Sequence, residues 1–342
     1  MTTASLISRR AFIGTALALS ACRARAKVIE ITGLSMGTTY DVVVVDHDNQ
    51  FDKAELKAAI DSALLSFNQK LSNWDGNSEI SRFNAAGQGN PVMMSAELAH
   101  VMKASAQINA ESEGRFDTSI GPLIELWGFG APGQRALPSQ DSVALAREMS
   151  GQTNTVALAA GQMAKRQDDA QVYLAGIGKG YGADYVGEVL SSFGSKDFLV
   201  EIGGDLFVAG HNPDGLPWQV GIESPNPADR SLMGVVGLSG LGLATSGDYR
   251  NYFEVDGQRY SHLIDPTTGY PVTHKTTSAT VLHENAMMAD AWSTAMLILG
   301  REKGLEIAAR HDLPVQFIDL DRVDGQRTYK TSVSQQFQAL TT

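Results

Sequence analysis

One cysteine, Cys22, stands in 342 residues, so the body of the chain beyond it folds without a disulfide. Basic runs are missing too. With a formal net charge of -11 and a pI near 5.1, the chain lacks the clustered Lys and Arg that phosphate backbones require, which excludes nucleic acid as its main partner. There is no internal repeat and no low-complexity linker. The apolar run from Ala11 to Ala21 is too short to span a bilayer as a stable helix. What is present is a 43% hydrophobic chain able to bury a full core, with 34 glycines that suit many strands and tight turns.

The first residues read as an address. Ser8-Arg9-Arg10-Ala11-Phe12-Ile13 matches a twin-arginine export signal. Leu19-Ser20-Ala21-Cys22 resembles a lipobox, in which the cysteine is lipidated and becomes the new N-terminus; the competing reading is cleavage after Ala24-Arg25-Ala26. Residues 1–26 are therefore expected to be signal and 27–342 the folded body. The expected location is the periplasmic side of the inner membrane as a lipoprotein, or the soluble periplasm.

Strands are predicted at Val28 to Thr32 and Thr38 to Val45, joined through Leu34-Ser35-Met36-Gly37. Asp52 with Glu55 forms a capping box for a helix whose Leu56, Ile60, Leu64, Phe67 and Leu71 share one face. Leu71 to Asn84 reads as a loop with Trp74 near its tip, where the ring either stacks on a planar ligand or covers a core edge. Helices are expected over Ser95 to Ser112, Ser139 to Met149, Tyr181 to Phe193, Ala286 to Leu299 stopped by Gly300, and Glu302 to His311. Further strands are expected at Thr155 to Leu158, Met163 to Arg166, Gln171 to Leu174, Phe198 to Ile202 and Trp218 to Ile222. Val235 to Leu238, Leu241 to Ala244, Thr277 to Leu282, Val315 to Ile318 and Thr328 to Thr331 complete the set.

Three stretches carry candidate chemistry. Thr245 to Val272 reads as one long hairpin turning at Asp256-Gly257, with strand residues Tyr252, Phe253 and Val255 on one side and Tyr260 to Ile264 on the other. Its polar residues gather at the ends: Thr245, Ser246, Asp248 and Arg250 before the first strand, His262 and Asp265 near the close of the second. Of the seven histidines only His262 is so flanked, and it is either structural or a general base. Ala175-Gly176-Ile177-Gly178-Lys179-Gly180 reads as a strand passing into a glycine-rich loop before a helix, a setting that suits phosphate. It has no Walker spacing. Gly178 to Ala183 fits G-x-G-x-x-A with Glu201 at about the distance of a ribose acid, a weak match because no regular alternation of strands and helices surrounds it. Asp290 and Thr294, four apart on an otherwise apolar helix, stack their oxygens on one face. Such hard donors suit Mg²⁺ shared with substrate phosphates; the alternative is a solvent-facing or capping carboxylate. Together the pieces ask for a ligand with phosphates, a metal and a planar ring.

The chain resembles the ApbE-like FAD:protein FMN transferases across nearly its whole mature body. The motifs stand in family order: LSMGTT from Leu34, LSNWDGNSEISRFN from Leu71, GRFDTSIGPLIELWGFG from Gly114, AGIGKGYGADYV from Ala175, VEIGGD from Val200, TSGDYRNYFEVDGQRYSHLIDPTTGYPV from Thr245 and ADAWSTA from Ala289. The resemblance implies an α+β fold of mixed or antiparallel sheets with packed helices, related to T-folds. It implies a Mg²⁺-dependent transferase that splits the pyrophosphate of FAD, places FMN on a Thr or Ser hydroxyl of a target protein and releases AMP. By similarity Asp290, Thr294 and the Gly176 carbonyl hold the metal, and His262 activates the acceptor hydroxyl. Met36, Trp74, Arg115, Phe116, Asp117, Tyr173, Lys179, Leu263 and Ile264 fall where FAD contacts are expected. The implied partners are FAD, an FMN-accepting domain and, through the lipid anchor, the inner-membrane surface.

Two positions depart from the pattern. Trp74 replaces the usual Tyr, keeping the ring and losing the phenol; relatives with a small polar residue there bind a second metal and hydrolyse FAD, so Trp74 favours transfer. Tyr173 stands where many members have Asp, which weakens one flavin contact. The rival expectations are a Mg²⁺-dependent FAD pyrophosphatase giving FMN and AMP, and a non-catalytic FAD carrier.

Overall fold

Burial alternates along the first two strands: Ile29 and Ile31 lie inside on β1 (Lys27–Ser35), and Tyr40, Val42 and Val44 on β2 (Thr38–Asp46). They pair antiparallel through Met36 and Gly37, both at positive φ (54° and 73°). The computed structural model describes residues 26–130, 137–226, 231–248, 251–256, 258–323 and 326–341. The export signal, the lipobox and Ala24-Arg25 fall outside the described residues, as do Arg250 and Gly257.

After β2 come α1 (Lys53–Leu71), α2 (Glu79–Ala85), α3 (Ala96–Glu111), α4 (Gly121–Leu126), α5 (Gln140–Glu148) and α6 (Gly178–Ser192). Then follow β3 (Phe198–Ile202), β4 (Asp205–Ala209), β5 (Trp218–Glu223), β6 (Leu232–Leu238) and β7 (Leu241–Gly247). The short β8 (Tyr252–Val255) and β9 (Gln258–Ser261) form a hairpin, and β10 (Thr276–His283), α7 (Ala286–Arg310), β11 (Val315–Val323) and β12 (Gln326–Val333) complete the frame.

Eight strands make one sheet in the order β1-β2-β3-β4-β7-β10-β11-β12. Every neighbouring pair in it is antiparallel, so the fold is α+β and the βαβ dinucleotide reading of Gly178 to Ala183 is excluded. One face carries the helices: Val42, Val44, Val200 and Ile202 pack on Leu56, Ile60, Leu64, Val186 and Leu190. The other face is covered by the β5–β6 hairpin, whose Trp218, Val220 and Val236 meet Val45, Leu199 and Leu243. The period of two along each strand thus gives this part of the sheet two buried faces.

Asp52 caps α1 as expected, accepting from the N–H groups of Ala54 and Glu55. Three local expectations are corrected. The stretch read as a loop to Asn84 contains α2, started by Ser78, whose hydroxyl accepts from the Ser81 N–H; seven residues are too few to show a helical period. Gln171 to Leu174 is not a strand, because side chains take the ladder's place: Asn84 and Asn73 hydrogen-bond the backbone of Val172, and Asn73 accepts from Leu174. Nor does a strand lead into a glycine loop at Gly176. The helix α6 already begins at Gly178, and the glycines serve close packing: a Cβ on Gly180 would fall on the Ala286 carbonyl oxygen of α7 and lie 2.8 Å from the Asp290 Cβ. Gly300, at φ 71°, interrupts α7 where the sequence places a stop. Among the described residues no helix is long and apolar enough to cross a membrane.

Candidate active site

The end of β7, the first half of α7 and the N-terminus of α6 meet beside the segment 262–266 and the turn after α3, and they enclose a cavity of about 1270 Å³. Every predicted site residue lines it except Met36 and Trp74. Met36 packs against α6 at Gly182, and Trp74 stands 70% exposed on the loop between α1 and α2.

Asp290 is buried and accepts the Gly180 N–H at 3.0 Å. Burial pushes its carboxyl up to about 7, the neighbouring Asp205 adds to the rise, and Lys179 opposes it. The Lys179 ammonium ion-pairs with Asp205 and lies 3.7 Å from Asp290 Oδ1. Burial alone would lower the lysine's pKa, but the two carboxylates outweigh it and hold the group charged. Asp205, present in the sequence as the end of the VEIGGD motif, is the functional residue that sequence reasoning passed over. Gly203 and Gly204 before it adopt positive φ (57° and 100°), and the turn delivers Asp205 to the first position of β4.

Thr294 lies one turn from Asp290 and hydrogen-bonds Ser246 Oγ at 3.1 Å, with Ser293 also on that hydroxyl at 2.8 Å. Gly176 passes directly beside it: a Cβ there would come 3.0 Å from Thr294 Oγ1 and 3.4 Å from the Phe116 ring. Among the described residues no three His, Cys, Asp or Glu side chains gather as a metal cage. The donors at hand are one buried carboxylate, one hydroxyl and a glycine backbone. That set fits Mg²⁺, which takes oxygen ligands, keeps few from the protein and completes its shell with phosphate oxygens and water. A cation would also offset the cost that burial imposes on the Asp290 carboxylate.

His262 is oriented by main chain. Its Nδ1 lies 2.9 Å from the Asn251 carbonyl oxygen, which also accepts the His262 N–H at 3.1 Å. A carbonyl only accepts, so Nδ1 carries the proton and the neutral ring holds its lone pair on Nε2. Phe129 sets its ring at 67° to the imidazole. Just beyond, Asp265 accepts from Thr267 N–H and hydroxyl and pairs with Arg115, while Trp127 Nε1 donates to the Gly269 carbonyl at 2.9 Å. The turn Asp265-Pro266-Thr267-Thr268-Gly269 is thereby pinned to two other segments. The single long hairpin expected over Thr245 to Val272 is in fact two units, β8–β9 and the bridge pairing Ile264 and Asp265 with Pro271 and Tyr270. Thr245 turns to the opposite sheet face, where its hydroxyl meets that of Thr280 at 2.8 Å.

Asp117 points into the protein: its carboxylate accepts from Ser119 N–H and hydroxyl, Gln152 N–H and Asn109. Burial still raises its pKa against those bonds. The Tyr173 phenol donates to Glu125, and burial together with that carboxylate raises its pKa. Leu263 and Ile264 are buried wall residues.

The ApbE family model matches residues 36–317. An FAD:protein FMN transferase of Haemophilus influenzae is 37% identical, with 98% of each chain covered. One of Vibrio cholerae is 35% identical over 94% of this chain and 96% of that protein. Among solved structures, the flavin transferase ApbE of Vibrio cholerae superposes with a TM-score of 0.83 at 34% identity, over 92% of this chain and 99% of that one. The apo flavinyl transferase ApbE of Pseudomonas stutzeri does so with a TM-score of 0.84 at 35% identity, over 92% and 97%. On sequence and fold alike, the chain belongs to the ApbE family.

Proposed function

We propose that this protein is an FAD:protein FMN transferase that uses Mg²⁺, modifies a Thr or Ser hydroxyl and releases AMP. The observation that carries the reading is one cavity holding a histidine with its lone pair on Nε2, a paired lysine, and the Asp290 and Thr294 oxygens. Relatives similar along nearly their whole length are named FAD:protein FMN transferases.

In the reaction the acceptor oxygen forms a bond to the FMN phosphorus, the P–O bond to AMP breaks, and the hydroxyl proton passes to His262 Nε2. The Asn251 carbonyl fixes the tautomer and aims the ring. Lys179, locked by Asp205, presents positive charge beside Asp290 where the pyrophosphate must lie. Asp290, Thr294 and the Gly176 carbonyl would hold Mg²⁺, which supplies charge neutralisation of the pyrophosphate. Phe116 and the buried Leu263 and Ile264 exclude water on the other side, and Trp74 offers a ring at the surface for stacking. Export by the twin-arginine signal and anchoring through Cys22 would place the site on the periplasmic side of the inner membrane.

The test is incubation of purified protein with FAD, Mg²⁺ and an FMN-carrying domain of a redox partner. Covalent mass gain of FMN on the domain with stoichiometric AMP supports the reading. AMP and free FMN formed equally without acceptor would replace it with hydrolysis.

A further inference from the structure

The cavity continues past the catalytic groups. The same space is lined by β1, β2 and β3 on one side and by the β5–β6 hairpin on the other, with Leu199 and Leu243 in its floor. At about 1270 Å³ it is larger than a small-molecule pocket of roughly 300–1,000 Å³. Transfer from a nucleotide to a protein needs both substrates at one histidine, so room beyond the nucleotide has a use. Leu216, Leu232 and Val235 stand 58%, 48% and 52% exposed along this arm, and the carboxylates of Glu30 and Asp214 stand at its rim. Among its described lining residues there is no Lys or Arg. Large apolar side chains held in water beside charge mark a docking surface. The arm is also flanked by strand edges: among the described residues β1 ends the main sheet, and β5–β6 is a sheet of two strands. Such edges offer backbone groups to an incoming extended chain.

We propose that this arm receives the acceptor protein as an extended segment, with apolar residues beside its Thr or Ser and at least one Lys or Arg facing Glu30 and Asp214. The inference rests on the transferase reading and deepens it by giving the second substrate its place and its chemistry.

The probe is the protein identified as the band that the wild-type enzyme labels with covalent flavin in a membrane extract given FAD and Mg²⁺, produced without flavin and used at varied concentration. Labelling rate is read as in-gel flavin fluorescence. Leu232→Asp is expected to raise the KM for this acceptor about tenfold. The double charge reversal Glu30→Lys with Asp214→Lys raises it at low ionic strength and much less in about 1 M salt. FAD affinity, read from quenching of flavin fluorescence, stays at the wild-type value in both. Val235→Asp is the parallel variant should Leu232→Asp melt early by circular dichroism. Folded variants with unchanged acceptor KM overturn the docking arm and leave the transferase reading standing. Weakened FAD binding matching the KM change also overturns it, since the arm would then hold nucleotide. If the wild-type enzyme labels no band, both readings fall.

Discussion

Replacing Asp290 with asparagine separates what this residue contributes to the reaction from what it costs the fold. Burial, helped by Asp205 and opposed by Lys179, raises the carboxyl from an ordinary 3.8 to about 7. The unfolded chain ionises it at the ordinary value, so between about pH 4 and pH 7 the folded state keeps a proton that the unfolded state has lost. Stability therefore falls as pH rises through that window and is lowest above it. A difference of about three pKa units at roughly 1.4 kcal/mol each makes the cost about 4 kcal/mol at pH 8 in metal-free protein. Asparagine still offers an oxygen to the Gly180 N–H and carries no charge, so Asp290→Asn removes that cost. At about 2 °C per kcal/mol for a chain of this length, the variant is expected to melt up to about 8 °C higher at pH 8, with the gap shrinking toward pH 4. Calorimetry at pH 5 and pH 8 in chelator measures it. Mg²⁺ should then narrow the gap: at a hundred times its Kd it stabilises the wild type by about 2.7 kcal/mol and leaves the variant unmoved, so the difference falls to about 1 kcal/mol, and only the wild type transfers flavin. A variant melting at or below the wild type in chelator at pH 8, or a gap that widens at pH 5, refutes the account of Asp290.

Three further outcomes are expected. His262→Gln should lower flavin transfer by about 10²- to 10⁴-fold while FAD binding by fluorescence is retained; comparable loss of binding would place the ring in recognition instead of proton transfer. Gly180→Ala puts a methyl on the Ala286 carbonyl and against Asp290, so overpacking should cost about 1–3 kcal/mol, read as an earlier urea midpoint. An unshifted midpoint would mean that α6 and α7 separate freely. Tyr173→Phe removes the donor to Glu125 and should cost about 1–2 kcal/mol in the same assay, with no loss if water replaces the phenol.

The framework was largely legible because its signals are periodic. The α1 stripe, the Asp52 cap and most strands of the main sheet stand where alternation and capping place them. Asp290 and Thr294 were visible as polar residues on an apolar helix, and the family motifs carried the rest of the cavity. What stayed hidden depends on contacts between distant segments. No local pattern tells that the Gly180 and Gly182 positions are crossed by α7 and by Met36 instead of by phosphate. Nor can propensity show that Asn73 and Asn84, 88 to 101 residues upstream, satisfy the backbone at 172 to 174 with side chains and so prevent a strand. Asp205 was hidden for a related reason: its importance comes from Lys179, which precedes it by a whole helix and strand.

The group that sets the tautomer of His262 is a main-chain oxygen. Every residue type at position 251 supplies one, so no substitution there deletes the acceptor; only a shift of the backbone can. The proton arrangement is written into the backbone at Asn251, just before β8, and changing it requires moving that backbone rather than altering any one side chain.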